Sequence, residues 1–127
     1  MTTIYLDFET VVALHDAQIA RYGGAAGVRD AGLIEAAVQR PQSGYYTDIV
    51  EEAAALWESL TMNHGFIDGN KRIGFAAAAT FLRMNGIRVM AEEGEVSTFV
   101  LSQLESGTFN KNALEDWLHS HTVPVKS

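Results

Sequence analysis

One short stretch of this 127-residue sequence combines side chains that could carry out acid–base and phosphate chemistry. It runs from His64 to Arg72 and reads His-Gly-Phe-Ile-Asp-Gly-Asn-Lys-Arg. The imidazole of His64 has an ordinary pKa near neutrality, so it could accept a proton from an attacking hydroxyl. The carboxylate of Asp68 is the type of ligand that Mg²⁺ uses when substrate phosphates complete its coordination shell. These residue types predict a site where a hydroxyl meets a phosphate.

The two cations that end this stretch, Lys71 and Arg72, lie where the apolar spacing predicts the start of a helix, near Gly69. The N–H groups at a helix start are unpaired, and the helix dipole favours anions there. Two cations in a first turn oppose that dipole, and the single carboxylate of Asp68 does not balance them. A bound polyphosphate would balance them, so the pattern favours a triphosphate site.

Each residue taken singly also has a purely structural interpretation. Asp68 can be a helix cap, Gly69 a turn residue, Lys71 and Arg72 solvated charges, and His64 a hydrogen-bonded histidine at a helix end. The combination of all of them within nine residues favours the functional interpretation. Phe66 and Ile67 form an apolar pair that we expect to anchor the loop in the core.

The surrounding sequence predicts an all-α protein, a compact bundle of about six helices around a central helix, with short extended segments. Asp7, Asp30 and Asp48 precede apolar residues at helical spacing and are expected to cap the first three helices. The fourth helix contains four consecutive alanines and is interpreted as the central one. The other expected elements are helices over 96–104 and after Asn110 or Asn112, extended segments at 4–6 and 87–90, and a frayed tail over 122–127.

Composition limits the class of protein. With 47% apolar residues, the chain is expected to form a single domain over 1–127. A net charge of −7 argues against direct nucleic-acid binding, because such proteins need a basic surface. No apolar run reaches the ~18 residues that cross a bilayer, and the first nine residues do not resemble a signal peptide, so we expect a cytoplasmic protein without membrane contact. The absence of cysteine excludes disulfides and thiolate metal sites.

Five further residues outside the motif have side chains that are common in functional sites. His15 lies on the apolar face of the first helix and is expected to be buried and hydrogen-bonded. His119 and His121 lack a nearby third ligand in the sequence, so a metal site there is not expected. Trp57 lies on an apolar stripe and, like Trp117, is expected in the core.

The motif resembles the signature of the Fic/Doc family, His-x-Phe-x-Asp/Glu-Gly/Ala-Asn-x-Arg, at the junction of two core helices. The likeness covers about residues 6–118, and several other segments resemble the death-on-curing (Doc) branch. The matching motif residues are His64, Phe66, Asp68, Gly69, Asn70 and Arg72, and the matching segments are 14–16, 21–24, 29–33, 81–82 and 85–86.

Two positions indicate the branch. Lys71 stands where adenylylating Fic enzymes carry a second glycine, and Phe75 where they carry a second arginine. The lysine is the Doc form, which implies a reversed nucleotide and an ATP-dependent protein kinase that phosphorylates a threonine of elongation factor Tu and halts translation. Gly69 departs from the founding Doc toxin, which is alanine-like there, so AMP transfer remains an alternative.

The resemblance also implies roles for the individual residues. His64 would be the base, Asp68 would bind Mg²⁺, and Asn70 would orient a phosphate at a nucleotide site that includes Gly69. Lys71 and Arg72 would neutralise the triphosphate. A non-catalytic module that binds only a nucleotide or an antitoxin is a third possibility.

The family's inhibitory motif, Ser/Thr-x-x-x-Glu-Gly/Asn, has no clean copy here. Thr47 and Glu51 have its spacing, but Glu52 follows, so we interpret this segment as an ordinary helix start. The resemblance therefore implies a separate Phd-like antitoxin encoded by a neighbouring gene. Tyr45 and Tyr46 lie in the preceding loop, which corresponds to the family's target-docking flap.

Overall fold

The computed structural model describes residues 2–92 and 94–125 as a helical bundle with a two-stranded antiparallel ribbon. The expected all-α architecture is confirmed. In chain order the elements are α1 (Phe8–Tyr22), α2 (Ala31–Gln39), a 3-10 turn (Arg40–Gln42), α3 (Ile49–Met62), α4 (Asn70–Met84), β1 (Ile87–Val89), α5 (Glu95–Glu105), α6 (Lys111–Ser120) and β2 (Thr122–Pro124). No helix within the described residues has both the length and the apolarity that a bilayer span needs.

The helix starts follow from local capping chemistry. The side chain of Asp7 accepts a hydrogen bond from the backbone of Thr10 at 2.8 Å. Asp30 and Asp48 cap α2 and α3 in the same way, and Asn110, rather than Asn112, caps α6. These bonds satisfy N–H groups that a helix start leaves unpaired, which is why the sequence pattern located the helices.

The C-terminal segment differs from expectation. Fraying from residue 122 onward was predicted, but Thr122–Pro124 pair with β1, with Ile87 opposite Pro124 and Val89 opposite Thr122. The prediction failed because the partner strand lies more than thirty residues earlier. Lys126 and Ser127 lie outside the described residues. The expected extended segment at 4–6 forms no strand, although the backbone of Ile4 bonds the side chain of Asn85 in both directions at 2.8 Å.

The core lies mainly between α3 and α4, which pack along each other. Nine of the fourteen residues of α3 are buried, and α4 also contacts α1 and β1. Trp57 of α3 is fully buried and, together with Trp117 of α6, confirms the expectation of core tryptophans. Its ring lies 5.3 Å from that of Phe75 and 5.7 Å from that of Trp117. The aromatic cluster therefore joins α3, α4 and α6.

Helices α3 and α4 pack closely at Gly74. A Cβ atom at this position would lie 2.2 Å from Oγ1 of Thr61, 3.1 Å from the carbonyl oxygen of Trp57 and 3.2 Å from its ring. We expect Gly74→Ala to lower the free energy of unfolding by about 1–3 kcal/mol, the usual cost of overpacking. We expect this loss of stability even though alanine stabilises a helix by about 1 kcal/mol relative to glycine.

Chemical denaturation of the single variants and of Gly74→Ala combined with Thr61→Ala would test this. Because Thr61→Ala removes the hydroxyl that the new methyl group meets, the double variant should lose less than the two single variants together. A Gly74→Ala protein as stable as the parent would show that moving the helices apart costs no more than alanine gains in helix propensity.

Candidate functional site

The motif occupies the junction of α3 and α4. Helix α3 ends at Met62, with Asn63 as its C-cap, and α4 begins at Asn70 after Gly69, which has a φ of 75°. We call residues 63–69 the motif loop. A cavity of about 350 Å³ opens over this junction. The cavity is lined by all six predicted site residues and by one further residue, namely His64, Asp68, Gly69, Asn70, Lys71, Arg72 and Ile67.

Phe66 anchors the motif loop. Its side chain is 1% exposed and stacks on the imidazole of His15, with ring centroids 3.9 Å apart. Ile67, its expected partner in the core, is instead 58% exposed, so that part of the prediction was wrong. The reason is geometric: Phe66 forms an antiparallel bridge with Val28, and successive side chains of extended backbone point to opposite faces.

The side chain of Asn70 closes the motif loop on itself. Its amide oxygen accepts the N–H of Phe66 at 3.1 Å, and its amide nitrogen donates to the carbonyl of Phe66 at 3.0 Å. An amide carries two N–H donors, so one remains after these contacts. The expected contact of Asn70 with a phosphate stays a prediction. The geometry shows in addition that Asn70 stabilises the motif loop through the backbone of Phe66.

His15 lies directly beneath the motif loop. It is 1% exposed, and its Nε2 lies 2.7 Å from the carbonyl oxygen of Asp68. A carbonyl can only accept, so Nε2 carries the proton and donates. The expectation of a buried, hydrogen-bonded histidine is confirmed. Its place under Asp68 was not predicted, because periodicity locates a residue on a helix face but does not say what packs there.

The carboxylate of Asp68 is exposed and held by two backbone donors. Oδ2 accepts the N–H of Ala25 at 3.1 Å, and Oδ1 accepts the N–H of Gly69 at 2.8 Å. These bonds, with the nearby charge of Arg72, lower the pKa of Asp68 below its usual value. A carboxylate offers about four acceptor positions, so roughly two remain free. The ionised, exposed carboxylate therefore suits a hard cation such as Mg²⁺.

The two cations of the motif have different environments. Arg72 is half-buried, and its Nη1 donates to the carbonyl oxygen of Gly23 at 3.0 Å. Lys71 is exposed and forms no ion pair with the parts of the chain that the structure describes. Arg72 thus has a fixed position beside Asp68, and the charge of Lys71 is free for an anion.

Gly24 shapes the site in a way that the sequence did not reveal. A Cβ atom there would lie 2.7 Å from Oδ2 of Asp68 and 3.2 Å from Nη2 of Arg72, and its φ is 113°. From the sequence alone, the Gly23–Gly24 pair indicates only the end of a helix. Its second residue also lets the backbone approach the charged groups closely, which is a tertiary contact.

The remaining candidates lie away from the motif loop. His121 stacks on Trp117 and bonds Glu95 at 2.6 Å. The sequence showed no third metal ligand near His119 and His121. In the fold, His119 lies close to the carboxylates of Asp48 and Glu115. Glu115 also pairs with Lys111.

The segment before α3 keeps its structural interpretation. Glu51 accepts the N–H of Thr47 at 2.8 Å and pairs with Lys111, which confirms an ordinary helix start. Tyr45 is 82% exposed, and the hydroxyl of Tyr46 accepts a hydrogen bond from Arg40 at 2.6 Å.

Sequence comparison agrees with this combination of a helical bundle and a charged loop between two core helices. The model of the Fic/DOC family matches residues 5–82, more than half of the chain, and the chain belongs to this family. It is 45% identical over 95 residues to Toxin Doc of Mycolicibacterium smegmatis, covering 71% of each chain. It is 41% identical over 85 residues to Protein kinase doc of Escherichia phage P1, covering 64% of this chain and 68% of that protein.

The lowered pKa of Asp68 predicts a pH-dependent contribution to stability. Because the folded state favours the ionised carboxylate, this contribution is complete above the ordinary pKa of 3.8 and is lost as the pH falls through the lower folded value. We expect Asp68→Asn to destabilise the protein near neutral pH, and the difference from the parent to shrink on acidification.

Urea unfolding between neutral and strongly acidic pH would measure this difference. Asp116→Asn is the matched control, since Asp116 is exposed on α6, away from the loop. A difference between Asp68→Asn and the parent that stays constant with pH would contradict the assignment of these hydrogen bonds to the carboxylate.

Proposed function

We propose that this chain is a Doc-like toxin that acts as an ATP-dependent protein kinase, phosphorylates a threonine hydroxyl of elongation factor Tu and so blocks translation. The observation that carries the proposal is that His64, Asp68, Lys71 and Arg72 line one and the same cavity at the start of α4. The names of the two relatives, Toxin Doc and Protein kinase doc, support the same class of activity.

The proposed reaction needs few protein groups. As the target oxygen bonds to the γ-phosphorus of ATP, the bond from that phosphorus to the β–γ bridging oxygen breaks and ADP leaves. His64 accepts the proton of the attacking hydroxyl. His64 is exposed at the cavity, so a hydroxyl on another protein can reach it. Positioning and charge neutralisation supply most of the rate in such transfers.

The charges of the site fit a magnesium-bound triphosphate. The free acceptor positions of Asp68 would hold Mg²⁺, which supplies charge neutralisation on the phosphates when bound. The ammonium of Lys71 and the guanidinium of Arg72 lie in the first turn of α4, where the unpaired N–H groups also favour anions. One remaining N–H of Asn70 is available to orient a phosphate oxygen.

The environment of Phe75 favours phosphoryl transfer over AMP transfer. In the adenylylating pattern this position carries a second arginine for the triphosphate. Here the Phe75 ring packs in the aromatic cluster against Trp57 and Trp117, so the position adds no charge to the cavity.

Gly69, which kept AMP transfer as an alternative, has a conformational explanation. Its φ of 75° favours glycine whatever the chemistry. The glycine therefore gives no separate support to AMP transfer.

A separate antitoxin and a cytoplasmic target complete the proposal. Glu51 is bound to Thr47 and Lys111, so the segment with inhibitory spacing has its glutamate engaged away from the motif loop. We infer that a Phd-like antitoxin, encoded by a neighbouring gene, controls the activity. A target in the translation machinery implies action in the cytoplasm.

Labelled nucleotides distinguish the possible activities. The purified chain is incubated with Mg²⁺, elongation factor Tu and either γ-labelled or α-labelled ATP. Label from the γ position on the factor supports the kinase, and label from the α position supports AMP transfer instead. If ATP binds but neither label is transferred, the chain is a binding module and the proposal fails.

Substitution of the base should remove activity without unfolding the protein. We expect His64→Ala to reduce phosphoryl transfer by about 10²–10⁴-fold, the usual contribution of a general base, and to abolish toxicity. Asp68→Ala should weaken the dependence on Mg²⁺ together with activity. Growth assays and single-turnover transfer measure both effects, with thermal melting to confirm folding.

His119→Ala is the matched control for His64→Ala, because His119 is an exposed histidine of α6. It should leave transfer unchanged. Cells that still stop growing on expression of His64→Ala would show that another group accepts the proton.

A further inference from the structure

The backbone of His64 adopts a conformation that its side chain does not favour. Its φ is 53°, and within residues 2–92 and 94–125 no other non-glycine residue has a positive φ. His64 directly follows Asn63, the C-cap of α3, at the position where helices usually end with glycine. A glycine could not serve as a base, so the fold must hold a histidine in the left-handed region.

Arg29, which lies outside the motif, stabilises this backbone conformation of His64. Its Nε donates to the carbonyl oxygen of His64 at 2.6 Å, and its Nη2 donates to the carbonyl oxygen of Asn63 at 3.2 Å. Carbonyls at the end of a helix lack intrahelical partners and carry partial negative charge. The planar guanidinium can bond both at once, which a lysine ammonium does with less geometric control.

The main chain of Arg29 extends the same contact by one residue. Its N–H donates to the carbonyl oxygen of Gly65 at 2.8 Å, so one residue bonds three consecutive carbonyls, those of 63, 64 and 65. A Cβ at Gly65 would lie 2.5 Å from Cγ1 of Ile34, so a side chain of α2 packs closely against the backbone next to His64. The backbone around His64 is therefore hydrogen-bonded by Arg29 and packed against Ile34.

Arg29 does not line the cavity, and two of the charged groups that do line it, Asp68 and Arg72, have supports of their own. Asp68 is held by Ala25 and Gly69, and Arg72 is held by Gly23. Loss of the Arg29 side chain should therefore affect the base and leave the nucleotide contacts in place.

We propose that Arg29 is a positioning residue for His64: its guanidinium fixes the left-handed turn that presents the imidazole to the cavity. This inference rests on the proposed function, in which His64 is the base. It predicts that loss of the guanidinium slows transfer without weakening the binding of ATP.

The test compares Arg29→Ala, Arg29→Lys and the control Arg83→Ala, whose arginine is exposed on α4. We expect Arg29→Ala to lower kcat by about 10- to 100-fold, as for a base displaced by about 1 Å, with KM for ATP within about twofold. Arg29→Lys should be intermediate, because its ammonium can bond only one carbonyl well. The control should match the parent.

A second measurement does not depend on activity. Backbone NMR coupling constants of His64 distinguish a left-handed φ from a right-handed or extended one. In Arg29→Ala they should change, whereas in Arg83→Ala they should not. If Arg29→Ala fails to fold, the same comparison is made on Arg29→Lys.

Two results would overturn the inference. One is an Arg29→Ala protein that keeps the parental kcat or the parental coupling constants of His64. Where Arg29→Ala does not fold, the same result for Arg29→Lys counts against the inference. The other is a loss in which KM rises as strongly as kcat falls, since that indicates general damage to the site. If the parent transfers no label at all, the proposed function has failed, and the NMR comparison alone then decides the role of Arg29.

Discussion

The stack of Phe66 on His15 is the interaction on which the candidate site depends. It fixes the middle of the motif loop to α1, with ring centroids 3.9 Å apart and both side chains almost fully buried. The same imidazole bonds the carbonyl of Asp68. The site residues on either side, His64 and Asp68, can therefore stay exposed while the loop keeps its backbone conformation, because the buried rings carry the packing. A loop that combines solvent access with a fixed backbone is what a transfer site requires.

The positive charges at the junction of α3 and α4 are only partly compensated by other groups of the protein. Asp68 and the carbonyl of Gly23 compensate Arg72, while Lys71 remains exposed in the first turn of α4. A chain with a net charge of −7 thus keeps a local positive site at one helix start. The contrast matters for recognition, because the acidic remainder of the surface repels polyanions and a small triphosphate can still enter one cavity.

The sequence predicted those features that depend on neighbours along the chain. Capping by Asp7, Asp30 and Asp48 is local, and so the helix starts were located correctly. The exposure of Ile67 was missed because pairing with residues 27–28 decides which way it points. Strand β2 was missed for the same reason, since β1 lies far away in the chain. The motif residues were grouped correctly because they are nearly consecutive.

The family model matches residues 5–82. The part of the chain after residue 82 also supports the site. Helix α6 packs Trp117 against Trp57 of α3, and Lys111 pairs with Glu51 near the start of α3. Since the motif loop begins where α3 ends, any tilt of α3 would move the loop against α1 and the 27–30 segment. The aromatic cluster of Trp57, Phe75 and Trp117 opposes that tilt, because each of its rings packs against a ring from another helix. The position of the proposed base is thus set by two independent supports, a hydrogen-bonded one from residues 15–30 and an apolar one from α6.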